Sequence, residues 1–279
     1  MVGKVCIVTG ANSGIGRVTA MRLAEQGARV VMVCRNRVKG EKAMADIKQG
    51  SQSDSVELLL SDFASLASVR ALARAFEEGH DALHVLVNNA GVAQVRRSVT
   101  GDGFESTLQV DYLSHFLLTN LLLDLLKKSS PSRIVNVSSV GHYGGHIDFD
   151  DLQMEKGYGV MKAYSRAKLA QVLFTYELAR KLEGTGVTVN CLHPGAVATN
   201  IWGASLGPLS FLGKITRLFM ISPEEGARTP VYLASSPEVE GVTGKYFDDG
   251  HEKRSSDESY DQAVARRLWD VSAAMVGLA

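Results

Sequence analysis

Residues 4–16 read "KVCIVTGANSGIG". An unbroken apolar run, rich in β-branched residues, gives way to a glycine loop and then to helix-forming sequence. Such a run fits a strand buried on both faces. Gly10, Gly14 and Gly16 let backbone come close to a pyrophosphate, and the N–H groups that open the following helix favour an anion; Ser13 and Ile15 lie inside the same loop. The spacing is G-x-x-x-G-x-G, which is neither the G-x-G-x-x-G fingerprint nor a P-loop, because no Gly-Lys-Ser/Thr follows. Glycines in such a turn also serve as plain turn formers. The strand before them and the helix after them favour nucleotide binding.

Outward from this loop the same rhythm repeats. Apolar runs begin at 29, 56, 84, 133, 187 and 244, and helical patterns lie between them, at roughly 15–26, 38–48, 65–79, 104–128, 160–183 and 223–235. A last helix over 258–275 should pack Leu268, Trp269 and Val271 onto the body of the protein. Alternation of this kind predicts an α/β fold: a single doubly wound Rossmann-type domain, with a parallel sheet of about seven strands and helices on both faces. No linker interrupts 1–279. The cofactor half is expected over about 1–130 and the catalytic and substrate half over about 131–279.

Composition narrows the function. The 279 residues carry 30 Lys+Arg against 30 Asp+Glu, so no net field points to nucleic acid or to a cationic partner. Apolar content of 45% suits a globular core. Cys6, Cys34 and Cys191 are far apart and form no CxxC, which fits a reduced, cytoplasmic setting. The N-terminus shows no signal-peptide pattern. The most apolar helical stretch is broken by Ser114, His115, Thr119, Asn120 and Asp124, so no transmembrane segment is expected. His80/His84 and His142/His146 lack a rigid ligand face, and no metal site is expected.

At the end of the second run, where many dinucleotide sites place an acid for the ribose, the chain reads "VCRNR". Arg35 there favours a 2′-phosphate, hence NADP(H) ahead of NAD(H), although a strand-end arginine is also commonly just a solvated cation.

The motifs "TGANSGIG", "SDFASL", "NNAG", "RIVNVSS", "YSRAK" and "HPGAVATN", in this order over nearly the whole chain, resemble the short-chain dehydrogenase/reductase family. "CRN", "AKLAQVLF", "SPEEGARTPVYLA", "GKYF" and "LWDVSAAMVGL" resemble its retinol-dehydrogenase-like branch. The resemblance implies that Asp62 and the Phe63 backbone contact the adenine; Asp62 can also be read as a helix N-cap. It implies that Asn89, Ala90 and Gly91 line the ribose, and that Pro194, Gly195, Val197 and Thr199 hold the nicotinamide end. It further implies a lipophilic alcohol or carbonyl as substrate, and a possible homodimer built on the helices over 104–128 and 160–183.

The family's catalytic set maps onto Ser139, Tyr164 and Lys168. A free phenol, with a pKa of about 10, is a poor base at neutral pH, and a lysine one turn away favours its ionised form. Two Tyr-x-x-x-Lys pairs are present in "YGVMKAYSRAK", residues 158–168. Gly157 and Gly159 flank Tyr158, so Tyr158 and Lys162 should belong to a loop lead-in. Tyr164 and Lys168 begin a helix free of Gly and Pro. Of Ser138 and Ser139, alternation along a strand lets only one face the site, and the family pattern selects Ser139. The insertion between Ser139 and Tyr164 resembles a substrate-side insert, which makes His142 and Tyr143 possible pocket residues.

One departure stands out. The family commonly has Asn where this chain has Asp111, and Gly where it has Ser114, in "VDYLSHF". Asp111 is therefore a doubtful fourth catalytic member, able to pair with Lys168. It leaves room for another class of function, a nucleotide-binding regulator with little or no turnover. The apolar, glycine-containing stretch 200–222 reads as a lid over an apolar pocket, or as an amphipathic helix on a membrane surface.

Overall fold

The computed structural model describes residues 1–195 and 221–278. Expectations for Val197, Thr199 and the lid or surface helix over 200–220 lie outside the described residues.

The apolar runs form strands β1 (Val5–Thr9), β2 (Arg29–Cys34), β3 (Val56–Leu60), β4 (Val85–Asn88), β5 (Ser132–Val137), β6 (Val187–His193) and β7 (Lys245–Asp248), with an eighth, β8 (His251–Glu252). The sheet order is β3-β2-β1-β4-β5-β6-β7-β8. Seven strands are parallel and β8 pairs antiparallel with β7. The expected count of about seven is thus one short. Asp249 and Gly250, both at positive φ (48° and 76°), make the tight hairpin that adds the edge strand. The order reverses between β1 and β4, which opens a crevice at the strands' C-terminal ends. Residues Val30 to Val33 in β2 are fully buried, as a strand covered on both faces requires.

Helices α1 (Gly14–Glu25), α2 (Arg37–Ser51) and α3 (Leu66–Gly79) follow the first three strands. Asn36 caps α2 by accepting from Lys39 N–H, and Ser65 caps α3 by accepting from Ser68 N–H, each bond worth about 1 kcal/mol. Ser65, and not Asp62, is therefore the helix cap. Asp62 Oδ1 accepts from Ala64 N–H in a local turn instead.

The stretch expected as one helix over 104–128 is segmented into α4 (Ser106–Leu108), a π-helical turn (Gln109–Leu113), α5 (Ser114–Leu121) and α6 (Leu123–Lys128). Next comes α7 (Val160–Lys181), followed by α8 (Pro223–Gly226) and α9 (Arg228–Ser235), which divide at Ala227, and α10 (Gln262–Met275), capped by Asp261. Leu268 of α10 is buried, and Trp269 packs edge-on to Phe116 and stacks on Phe174. Part of the α5/α7 surface on which a dimer was expected is thus covered within the chain. Among the described residues no helix is long and apolar enough to cross a membrane.

Candidate active site

A cavity of about 510 Å³ opens at the C-terminal ends of β1 to β6. The expected catalytic and cofactor residues within the described part line it, with the exception of Asp111: Gly10, Ser13 to Gly16, Arg35, Asp62, Phe63, Asn89 to Gly91, Ser139, Tyr164, Lys168, Pro194 and Gly195. A larger recess, about 980 Å³, lies at the opposite ends of the strands around Val85, Ser132 and Val187. It contains none of these residues, so size does not mark the site here.

At one end of the cavity the glycine loop packs tightly on the turn after β4. A Cβ on Gly16 would sit 2.4 Å from Asn89 Nδ2 and 2.6 Å from the Gly10 carbonyl oxygen. One on Gly10 would come within 2.9 Å of Ala90 Cα. Asn89 Nδ2 donates to the Thr9 carbonyl, and Thr9 Oγ1 accepts from the N–H groups of Asn89 and Ala90. These bonds hold the two loops together. Ser13, the α1 N-cap residue, makes no side-chain cap bond, and the first turn of α1 carries no acid. The N–H groups that open α1 are thus left to an outside acceptor, and the dipole favours an anion. A pyrophosphate-bearing dinucleotide fits this cradle.

Beyond the loop, Arg35 has 74% of its side chain exposed, and its guanidinium lies 3.8 Å from Asp62 Oδ2. Beneath it Cys34 is buried, which pushes its thiol pKa up. No acid occupies the strand-end position itself.

At the other end Ser138 and Ser139 part company. Ser138 Oγ donates to the Lys168 carbonyl at 2.9 Å and so ties β5 to α7. Ser139 Oγ accepts from Gly141 N–H, on the cavity side. A Cβ on Gly141 would meet Tyr164 Cε1 at 3.2 Å and Ser139 Oγ at 3.4 Å, so serine and tyrosine are neighbours across that glycine. Lys168, one turn along α7, holds its Nζ 5.5 Å from the Tyr164 ring centre.

The rival pair does not converge. Tyr158 precedes α7 and donates its hydroxyl to the Gln94 carbonyl. Burial raises its pKa, chiefly, with the Glu105 charge adding to the effect. Neither Tyr158 nor Lys162 lines the cavity. The pocket roles expected for His142 and Tyr143 are not met either. His142 is buried behind Ser139, between the Ser139 carbonyl and Ser256 N–H, while the Tyr143 hydroxyl donates to the Arg254 carbonyl. The insertion therefore packs on the C-terminal segment.

Lys168 is nearly sealed. Nζ donates to the Val137 carbonyl at 3.2 Å and to Gln171 Oε1 at 3.1 Å, and it lies 3.3 Å from Asp111 Oδ2. Asp111, at the centre of the π-helical turn, is fully buried; its Oδ1 accepts from Val92 N–H at 2.7 Å. The Asp111–Lys168 contact is an ion pair without the alignment of a hydrogen bond. Burial pushes the Asp111 carboxyl up to about 6, while Lys168 and Val92 N–H hold it from going higher. Ser114 Oγ, at the other departure, donates to the Phe63 carbonyl at 2.6 Å and pins the turn to the segment after β3.

Sequence reasoning missed Gln171, whose only signal was its spacing three residues after Lys168 on a helix. It also missed Val140 and Met161, which line the mouth and are 52% and 51% exposed, and His193, whose Nδ1 is buried with no hydrogen-bond partner among the described residues.

The family model for short chain dehydrogenases matches residues 4–206. The chain belongs to the short chain dehydrogenase family. It is 49% identical to "Retinol dehydrogenase 14" of Homo sapiens, over 100% of this chain and 88% of that protein. It is 48% identical to "Retinol dehydrogenase 13" of Mus musculus, over 99% of this chain and 85% of that protein. Among solved structures it is similar to an uncharacterized protein from Mycobacterium Paratuberculosis (TM-score 0.81, 34% identity, 99% of this chain and 94% of that one). It is also similar to an actinorhodin polyketide ketoreductase variant solved with NADPH (TM-score 0.69, 25% identity, 89% of this chain and 97% of that one). This short chain dehydrogenase is retinol-dehydrogenase-like. It is an oxidoreductase of the alcohol and carbonyl level that works with a nicotinamide cofactor.

Proposed function

We propose that this short chain dehydrogenase is NADP(H)-dependent and interconverts a lipophilic alcohol with its aldehyde or ketone, with Tyr164 as the acid/base. The observation that carries the reading is the convergence of Ser139, Tyr164 and Lys168 on one end of a cavity whose other end bears Arg35.

When bound, the nicotinamide supplies or accepts the hydride. Ser139 Oγ holds the substrate oxygen in place. The Tyr164 hydroxyl donates its proton to a carbonyl oxygen in reduction and takes it back in oxidation. The Lys168 ammonium keeps positive potential beside that hydroxyl. Asn89 to Gly91, Pro194 and Gly195 orient the cofactor, with Asp62 at the adenine. Arg35, exposed and held only by a loose 3.8 Å ion pair to Asp62, suits a 2′-phosphate. Val92, Val140 and Met161 give the mouth an apolar lining, which suits a lipophilic substrate, and two relatives are named retinol dehydrogenases. A cytoplasmic setting belongs to the same proposal, on the ground that Cys6, Cys34 and Cys191 are free buried thiols.

NADPH and NADH consumption across a panel of aldehydes and ketones tests the reading. Turnover with NADPH on apolar carbonyls is expected. Tight NADPH binding with no turnover on any member would return the chain to the regulator reading.

A further inference from the structure

An ammonium has three N–H donors. Among the described residues, two of those of Lys168 bond protein acceptors, the Val137 carbonyl and Gln171 Oε1, and Asp111 Oδ2 lies 3.3 Å away as an ion-pair partner. If Lys168 is to turn its third N–H to a hydroxyl of the cofactor, the ammonium must move against the pull of that carboxylate. Val137 sits at the end of a central strand and Gln171 one turn along the same helix, and both make directed hydrogen bonds. Asp111 makes the one unaligned contact, and it is also the one that carries charge.

We propose that Asp111 competes with the nicotinamide cofactor for Lys168: it is a positioning residue whose carboxylate holds the ammonium back and so weakens cofactor binding. The inference rests on the reading above that Lys168 belongs to the cofactor site. It concerns a position where this chain departs from the family's usual Asn.

The geometry fixes the sign. Asp111 Oδ1 is committed to Val92 N–H, and among the described residues Oδ2 faces Lys168 alone. Both side chains are buried, at 0% and 3% exposure, so water screens the attraction little. Among the described residues the charged and titratable groups around Asp111 are few. Lys168 faces it from α7, and Glu105, ahead of α4, adds a like charge. His115, next along its own helical stretch, bonds the Asp111 carbonyl and is kept neutral, its pKa pushed down to about 3 by burial. The turn after β4 offers the Val92 N–H. With the Asp111 carboxyl pushed up to about 6 by burial, its charge is present above that pH and lost below it. Neutral Asp111 no longer draws the Lys168 ammonium back, and it removes a negative charge beside an anionic ligand. Both effects tighten binding as pH falls and weaken it as pH rises through that value.

The test is the Kd of NADPH, read by nicotinamide fluorescence at constant salt, for wild type and Asp111→Asn from about pH 5 to about pH 8. Asn keeps the shape and the acceptor for Val92 but carries no charge. The variant is expected to bind about tenfold tighter at about pH 8, with the ratio closing towards one at about pH 5. His193 and the ligand's own phosphate titrate in both proteins and cancel in the ratio. Equal affinities across the range, or a ratio that does not change with pH, overturn the proposal while leaving the cofactor site intact. Failure of both proteins to bind NADPH overturns the site reading and the proposal together. A wild-type measurement guards against a variant that does not fold: calorimetry of NADH binding at about pH 6.5, in two buffers of different ionisation enthalpy. Proton uptake is expected; no uptake, or release, overturns the proposal.

Discussion

Ser138 Oγ donates to the main-chain carbonyl of Lys168 at 2.9 Å, and Ser139 turns its own Oγ to the opposite side, towards Tyr164. One serine fastens the lysine-bearing helix to the sheet, and the next is left for the substrate. The two alanine variants should therefore fail differently. Ser139→Ala is expected to lower kcat/KM about 100-fold or more, at a stability cost of only about 1 kcal/mol from the lost bond to Gly141 N–H. Ser138→Ala should cost about 1 kcal/mol in denaturant melts, because it removes a buried hydrogen bond that ties α7 to the sheet, and should lower kcat far less. Equal kinetic losses from the two would remove the division of labour.

Arg35 should set cofactor preference. Loss of one charge-assisted contact to a 2′-phosphate is worth about 1.5–3 kcal/mol, so Arg35→Ala should raise the KM for NADPH by about tenfold to 100-fold and leave that for NADH nearly unchanged. Steady-state kinetics with both cofactors check this. An unchanged NADPH/NADH ratio would mean that Arg35 is a solvated surface cation.

Gly16 should admit no side chain. The 2.6 Å approach is to the Gly10 backbone, which cannot give way, and the 2.4 Å approach is to Asn89 Nδ2, a side-chain end tied to the Thr9 carbonyl. Gly16→Ala is expected to lower Tm by several degrees and to weaken NADPH binding at least about tenfold, as the loop moves off the β4 turn. Binding at wild-type strength would show that the close loop packing is dispensable.

His115 should shape the acid limb of stability. It is buried, with Nδ1 at the Asp111 carbonyl and Nε2 3.2 Å from Thr9 Oγ1. Burial pushes its pKa down to about 3, so at mildly acidic pH the unfolded chain binds a proton that the folded protein refuses. Its contribution to stability is thus lost as pH falls from about 6.5 towards about 3. Urea melts across that range should show a shallower slope for His115→Gln, by up to about one proton. An unchanged slope would place the acid sensitivity elsewhere, at His142 or His193, whose pKa values burial also lowers.

The fold was legible because its strands are unbroken apolar runs and its glycine loop follows the first of them. Val30 to Val33 can be buried on both faces only in a covered parallel sheet. β8 escaped notice because two residues carry no periodic signal, yet the Asp249-Gly250 dipeptide held the hairpin information. The break at Gln109–Leu113 was invisible because residues 105–119 are buried at nearly every position, so the register shift of a π-helical turn leaves no mark in the apolar pattern. The placement of Tyr164 over Tyr158 followed from two glycines, which act locally. The threefold grip on Lys168 did not, since Val137, Gln171 and Asp111 meet only through tertiary packing.

The most direct measurement is NADPH consumption on an apolar aldehyde by wild type, Tyr164→Phe and Tyr158→Phe. Tyr164 lines the cavity beside Ser139 and Lys168, whereas the Tyr158 hydroxyl is spent on the Gln94 carbonyl. The account predicts that Tyr164→Phe lowers kcat by about 100-fold or more and that Tyr158→Phe retains most of it. Retained turnover in Tyr164→Phe, with the loss falling on Tyr158→Phe instead, would contradict the account.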